Sequence, residues 1–258
     1  MSIMLKTHHL SHRHDRRLCL DHISVAFRPG QLCVIGGPNG SGKSTLIRLL
    51  SGELRPSSGR ISLDGMDLRH WQPLRLARRR AVLSQQVPNQ PAWPVHQVVA
   101  LGRSPYTDED TAYGQQAIAA ALDQVGLSDQ HQAIYSRLSG GQRARVQFAR
   151  SLCQLHEQST DALCLLDEPT ASLDPRWQHQ TMQCLKDCAA RGWTVICVLH
   201  DLNLASRYAD RLLILHDGDV ALDGAPEQVL DDPRIDRIYQ LNFARLRHDG
   251  HRYLHAVA

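Results

Sequence analysis

The sequence predicts an α/β fold: a mostly parallel sheet with helices on its faces, an antiparallel β layer before it and a helical insertion within it. Three observations carry that prediction. A glycine-rich loop, Gly37-Pro38-Asn39-Gly40-Ser41-Gly42-Lys43-Ser44, lies between a short apolar run, Gln31 to Ile35, and a stretch with helical spacing of apolar residues, Leu46, Ile47, Leu49 and Leu50. Three continuous apolar runs, Ala162 to Leu166, Trp193 to Leu199 and Arg211 to His216, recur later with helical stretches between them. Buried parallel strands read this way, and strand–helix alternation implies a parallel sheet. From about residue 88 to 155 the character changes: Pro88, Pro91 and Pro94 break the chain and helical patterns come after them.

Taken in order, Ile23, Val25 and Phe27 alternate with polar or small neighbours at a period of two, and Arg28-Pro29-Gly30 is a turn signal. Residues 19 to 35 are therefore expected to form a hairpin. Gly59 to Leu63 followed by Asp64-Gly65 gives a second β region. Leu74, Leu76 and Ala77 make an amphipathic stretch, and Arg78-Arg79-Arg80 after it reads as a solvated helix face. Ala117 to Val125 is rich in helix formers, and Val146, Ala149, Leu152 and Cys153 recur at helical spacing. Trp177 to Arg191 and Leu202 to Tyr208 are helical stretches between the later strands. At the end, Phe243 to Leu246 and Tyr253 to Val257 can pair around Asp249-Gly250.

Composition narrows the classes of function. The chain has 258 residues, 42% of them hydrophobic, enough to bury a sizeable core. No apolar run approaches the ~18–20 residues of a spanning helix, and the first residues lack the apolar core of a signal peptide, so a cytoplasmic location is expected. A net charge of +3 is too mild to argue for nucleic acid. The seven cysteines contain no C-x-x-C and read as small core hydrophobes. Fifteen histidines are scattered, and the cluster His8, His9, His12 and His14 has no partner motif for a metal.

The chemistry begins at residues 37 to 44, which fit G-x-x-x-x-G-K-[ST]. Glycines let successive backbone N–H groups turn inward as an anion nest, and the next helix points its positive end at the same anion. Lys43 adds a mobile cation, and the Ser44 hydroxyl suits Mg²⁺, which prefers oxygen. Asp167-Glu168 ends one apolar run: one carboxylate suits the metal and its neighbour can take a proton from an attacking water. His200 ends the next run, where an open parallel sheet binds ligands. Gln85 and Gln86 end a further apolar stretch and are equal candidates on chemistry. Leu138-Ser139-Gly140-Gly141-Gln142 opens a helix that Ser139 can cap, a second anion site far along the chain from the first.

With these motifs in place, the chain resembles the nucleotide-binding subunit of an ATP-binding cassette transporter over nearly its whole length. The resemblance implies a P-loop ATPase core spanning 1–87 and 156–258, with a helical subdomain at about 88–155, in a single domain of 1–258. It implies that Gly37, Pro38, Asn39, Gly40, Ser41, Gly42, Lys43, Ser44 and Thr45 bind ATP. Ser44, Gln85 and Asp167 would hold Mg²⁺, and Glu168 and His200 would be the catalytic base and switch residue. Ser139, Gly140, Gly141 and Gln142 match the family signature, and Ala171-Ser172-Leu173-Asp174 looks like the loop that crosses the dimer interface. The family usually stacks an aromatic on adenine; His14 stands near that place, and no Tyr does. Two subunits would meet head to tail, each signature capping the ATP of the other.

Val95-His96-Gln97-Val98-Val99-Ala100-Leu101-Gly102-Arg103-Ser104-Pro105 is similar to a stretch in ATPases of importers for iron-siderophores, haem and cobalamin, and the chain looks most like the haem importer group. That implies a homodimer at the cytoplasmic face of the inner membrane, docked on two multi-span permease subunits, indirectly served by a substrate-binding protein and without nucleic acid. A nucleic-acid-directed cassette ATPase and an exporter ATPase are the competing readings. The single cassette and mild charge argue against the first, and Gly102-Arg103-Ser104-Pro105 against the second.

Overall fold

The computed structural model describes residues 4–15, 17–84, 92–156 and 161–257. The chain opens with β1 (Leu5–His14), β2 (Arg17–Ile23), β3 (Ala26–Phe27) and β4 (Gln31–Gly36), then α1 (Lys43–Leu50), β5 (Ser58–Leu63), β6 (Met66–Asp67), α2 (Pro73–Arg79) and β7 (Arg80–Leu83). Three helices come next, α3 (Val95–Ala100), α4 (Thr111–Gln124) and α5 (Gly140–Gln154). Strands return with β8 (Leu163–Asp167), α6 (Pro175–Ala190), β9 (Thr194–Val198), α7 (Leu202–Tyr208), β10 (Arg211–His216) and β11 (Asp219–Gly224). The described chain ends in α8 (Pro226–Asp231), α9 (Arg234–Tyr239), β12 (Asn242–His248) and β13 (His251–Val257).

Among the described residues there are two layers of sheet and one hairpin. The first sheet is antiparallel, in the order β2-β1-β5-β6, with β3 also paired to β1. The second has the order β11-β10-β4-β9-β8-β7. From β10 to β7 its strands are parallel, and β11 joins the edge antiparallel. The pairing of β12 with β13 runs from Asn242 opposite Val257 to His248 opposite His251, as the terminal apolar pattern predicted.

The residues 19–35 do not form the expected hairpin. Both β2 and β3 pair with β1, and β4 leaves for the parallel sheet. The reason is burial. In β4 every residue after Gln31 is buried, which suits a central strand, whereas β2 buries only Leu20 and Ile23 and β3 only Phe27. Gly30, at φ +74°, makes the turn that carries the chain from one layer to the other.

Alternation now operates on both faces of the parallel sheet. Cys33, Ile35, Leu163, Leu165, Ile196, Val198, Leu213 and Leu215 pack against α1 and the antiparallel layer. Their neighbours Leu32, Val34, Cys164, Leu166, Val195, Cys197, Leu212 and Ile214 pack on the opposite side, in one core with α5, α6 and the helical insertion. The cysteines inside the strands are thus core residues, and burial pushes the Cys33 thiol up to about 12. Arg78-Arg79-Arg80 is not the solvated helix face expected. The Arg78 guanidinium donates to the Pro105 carbonyl at 2.8 Å. Arg79 pairs with Asp64 and Asp161 at 2.6 and 3.0 Å. Arg80 already belongs to β7, and its guanidinium donates to the Ser51 carbonyl. The cluster works as ties between elements because the chain turns from helix to strand within it.

The helical insertion is fastened to itself at Gly102. A methyl group there would stand 2.4 Å from the Arg150 carbonyl oxygen of α5. Beside it the Arg103 guanidinium lies 3.8 Å over the Tyr106 ring, pairs with Glu109 and donates to the Cys153 carbonyl at 2.6 Å. Gly102→Ala is therefore expected to lower stability by about 1–3 kcal/mol through overpacking. The reading is a lower urea midpoint at unchanged slope; an unchanged midpoint would contradict the close approach.

Candidate functional site

The glycine-rich loop joins β4 to α1 at one edge of the parallel sheet. Two glycines are required by geometry. At Gly37, φ is +137° and a side chain would meet the Leu215 carbonyl oxygen at 2.2 Å. At Gly42, φ is +104° and a side chain would meet Leu20 at 2.6 Å and the Cys19 carbonyl at 2.8 Å. The first turn of α1 begins at Lys43, so its amides have no partner inside the helix and face whatever the loop encloses.

Lys43 is buried and donates from Nζ to the carbonyls of Gly37 and Pro38, both at 2.9 Å. Burial holds its ammonium below the usual lysine range, against the pull of Glu168 and Asp167. Asp167 ends β8, and parallel pairing sets it level with Val198 of β9. It is buried, and burial raises its carboxyl, opposed by a hydrogen bond from the Ser44 hydroxyl and by Lys43 and His200. Its Oδ1 has no partner. Glu168 comes next in the left-handed region, φ +54°, and its Oε1 accepts a hydrogen bond from His200 Nε2 at 2.6 Å.

The structure gathers most of the sequence-predicted residues at one place. Asn39, Gly40, Gly42, Lys43, Ser44, Thr45, Glu168, His200 and His14 line a cleft of about 600 Å³. Ser41 and Asp167 are buried, and Ser41 Oγ also lacks a partner. His14 stands at the mouth with its side chain 84% exposed, open enough to stack on a flat ligand. Gln85 lies outside the described residues. Sequence reasoning missed His12, Arg17 and Arg48, which line the same cleft. Arg17 was legible as part of a basic run beside His14, but only the turn from β1 to β2 brings it over the loop.

Ser139 to Gln142 are not in that cleft. Ser139 caps α5: its Oγ accepts from the Gln142 backbone N–H at 3.2 Å, and the Gln142 Oε1 accepts from the Ser139 N–H at 2.9 Å. Gly140 is open, with no atom within 4 Å of where a side chain would begin. Gly141 packs on the Ser172 carbonyl, 3.0 Å from where its side chain would begin. Asp174 is not in the cleft either. Its Oδ1 caps α6 by accepting from the Trp177 N–H at 3.0 Å. The chain therefore carries a phosphate-type cradle and, elsewhere, an exposed helix N-terminus packed on the 171–174 loop.

The buried, unpartnered Asp167 Oδ1 beside the Ser44 hydroxyl offers hard oxygen donors, which fit Mg²⁺. Among the described residues no group of three or more His, Cys, Asp or Glu side chains gathers as a ready-made metal site. None of the described helices is long and apolar enough to cross a membrane.

Residues 20–171 match the family described as ABC transporter. The hemin import ATP-binding protein HmuV of Rhodopseudomonas palustris is 43% identical over 235 residues, covering 90% of this chain and 86% of that protein. The HmuV of Pseudomonas aeruginosa is 42% identical over 248 residues, covering 95% and 96%. Among solved structures, a metal-chelate type ABC transporter in an inward-facing conformation superposes with a TM-score of 0.80 at 24% identity, over 99% of this chain and 97% of that one, and shares the fold. A dimeric ATP-binding cassette bound to ADP and Pi gives a TM-score of 0.76 at 25% identity, over 86% and 99%.

The Asp167 burial has a sign that can be measured. Its folded-state pKa lies above the ordinary 3.8, so the stability it contributes is full below that value and is lost as pH rises through the raised one. Asn carries no charge at any pH. Asp167→Asn is expected to melt above the wild type near neutral pH, with the gap closing in acid. A variant less stable than wild type near neutral pH would contradict this account.

Proposed function

Since this chain belongs to the ABC transporter family, we propose that it is the ATP-hydrolysing subunit of an importer that carries haem across the inner membrane. The observation that carries the reading is the convergence of Lys43, Ser44, Glu168 and His200 on one cleft, with Asp167 buried beside Ser44 and the Ser139 N-terminus of α5 held outside it. A nucleotide site that lacks its signature within one chain is complete only when a second copy supplies it. The relatives named for hemin import support the cargo.

In this reading the loop amides and the first turn of α1 cradle the phosphates, and Lys43 exchanges its two carbonyl partners for phosphate oxygens. Ser44 and Asp167 would hold Mg²⁺, which would supply positive charge against the developing phosphate charge. Glu168 accepts a proton from the attacking water as its oxygen bonds to the γ-phosphorus and the bond to the bridging β–γ oxygen breaks, releasing ADP. His200 holds the Glu168 carboxylate in place through its 2.6 Å hydrogen bond. Ser139 and Gly141 of the second copy face the γ-phosphate, so ATP binding closes a head-to-tail homodimer and its hydrolysis opens it. His14 stacks on the adenine. The helical segment at about 88–155 docks on the two multi-span permease subunits, with a substrate-binding protein delivering the cargo from the far side. The subunit itself is peripheral, on the cytoplasmic face.

Glu168→Gln keeps the partner of His200 and removes the base. Hydrolysis is expected to fall about 10²–10⁴-fold with ATP binding retained; hydrolysis at the normal rate would rule out the assigned base. The transport reading is tested by capture of the tagged subunit from membranes, then ATPase assay in liposomes with binding proteins loaded with haem, ferric siderophore or cobalamin. Capture of a permease and stimulation by the haem-loaded protein is the expected result. Stimulation by another chelate reassigns the cargo, and capture of RNA or ribosomes without a permease overturns the transporter reading.

A further inference from the structure

Arg17, Lys43 and Arg48 all line the nucleotide cleft, but their charges are not equally free. Lys43 donates to the Gly37 and Pro38 carbonyls, and the Arg48 Nε donates to Glu53 Oε1 at 2.8 Å. The Arg17 guanidinium has no hydrogen bond or ion pair among the described residues. An exposed arginine is ordinarily left to water. Arg17 differs in that it is exposed inside a concave cleft already lined by the glycine-rich loop.

Backbone contacts fix where it stands. Arg17 opens β2 directly opposite His14 of β1, and opposite residues of an antiparallel pair present their side chains on one face. Two and three residues on, β2 rests on the loop: the Cys19 carbonyl and the Leu20 side chain are what exclude a side chain at Gly42. The guanidinium itself reaches back to Gly40, with a terminal nitrogen 3.9 Å from where a side chain there would begin. Lys43, Ser44, Asp167, Glu168 and His200 act on one another at the far end of the same cleft. Arg17 is not among the charges that act on Lys43 or Asp167. The cleft thus has one cation at the carboxylate end and a second, unpaired one beside Gly40 and His14.

We propose that Arg17 is a nucleotide-binding residue whose guanidinium holds the α-phosphate. The assignment rests on the nucleotide reading above, with the γ-phosphate at the carboxylate end and the base at His14; the α-phosphate then lies between them. A guanidinium offers N–H donors in a fixed fork that fits phosphate oxygens. The α-phosphate keeps its bonds and charge while the β–γ bridge breaks. The contact is therefore equally strong in the ground and transition states, so it lowers KM and leaves kcat alone. The competing role for a flat cation beside His14 is to stack on the base.

The test measures binding of ADP and of inorganic tripolyphosphate, which has no base, to the full-length chain as wild type, Arg17→Gln and Arg17→Lys, together with kcat and KM for ATP. Arg17→Gln is expected to weaken both ligands about 3–10-fold and to raise KM by a similar factor, with kcat held within about twofold. Arg17→Lys, which keeps the charge without the fork, is expected to recover part of the loss for both ligands. Equal binding by wild type and Arg17→Gln overturns the site. A loss for ADP without a loss for tripolyphosphate overturns the phosphate contact in favour of stacking on the base. A fall in kcat at unchanged KM overturns it in favour of a role in bond breaking. Each of these results leaves the nucleotide reading standing, because the wild type still binds. A wild type that binds neither ADP nor ATP removes that reading, and this assignment with it.

Discussion

Everything at the nucleotide cleft depends on β4 being clamped between β9 and β10 in a parallel sheet buried on both faces. Parallel strands end at the same edge, so the segments that leave them emerge side by side. The glycine-rich loop leaves β4, Asp167 and Glu168 leave β8, and His200 leaves β9. Register makes this specific: Val198 of β9 pairs with both Ile35 and Asp167. The tight approach of Gly37 to the Leu215 carbonyl closes the remaining side from β10. A slip of one residue in any of these pairs would exchange the buried faces and move a site residue off the edge.

The same constraint shapes the electrostatics. An ammonium and a carboxylate, Lys43 and Asp167, are both buried at the sheet edge, and burial works against the charge of each. Neither is fully satisfied by the protein alone: Lys43 takes backbone carbonyls, and Asp167 Oδ1 takes nothing. Buried polar groups with spare capacity are costly unless a ligand completes them. The spare capacity of these buried groups suits a charged ligand and costs the chain stability.

The helical insertion divides the work differently. It carries the Ser139 cap of α5, outside the cleft of its own chain. The Gly102 contact and the Arg103 ties hold the segment after α3 against α5.

Much of this was legible in the residues because local chemistry decided it. The loop at 37–44 needs glycine for its backbone and lysine for its charge, the apolar runs at 162–166 and 193–199 read as buried strands between helical stretches, and Ser139 and Gln142 have the spacing of a helix cap. The sequence by itself therefore determined the α/β class, the glycine-rich loop between strand and helix, and the separate capped start of α5. Pairing partners were beyond it. Residues 19–35 looked like one hairpin because alternation and a Pro-Gly turn are local, while the choice between two sheets depends on which faces are buried. The arginines at 78–80 looked solvated because their acceptors, Ser51, Asp64, Pro105 and Asp161, are remote in sequence. Arg17, which lines the cleft, was hidden for the same reason. Side-chain type is written in the chain, but distance between remote segments is decided only when the tertiary fold trades chain entropy for shared burial.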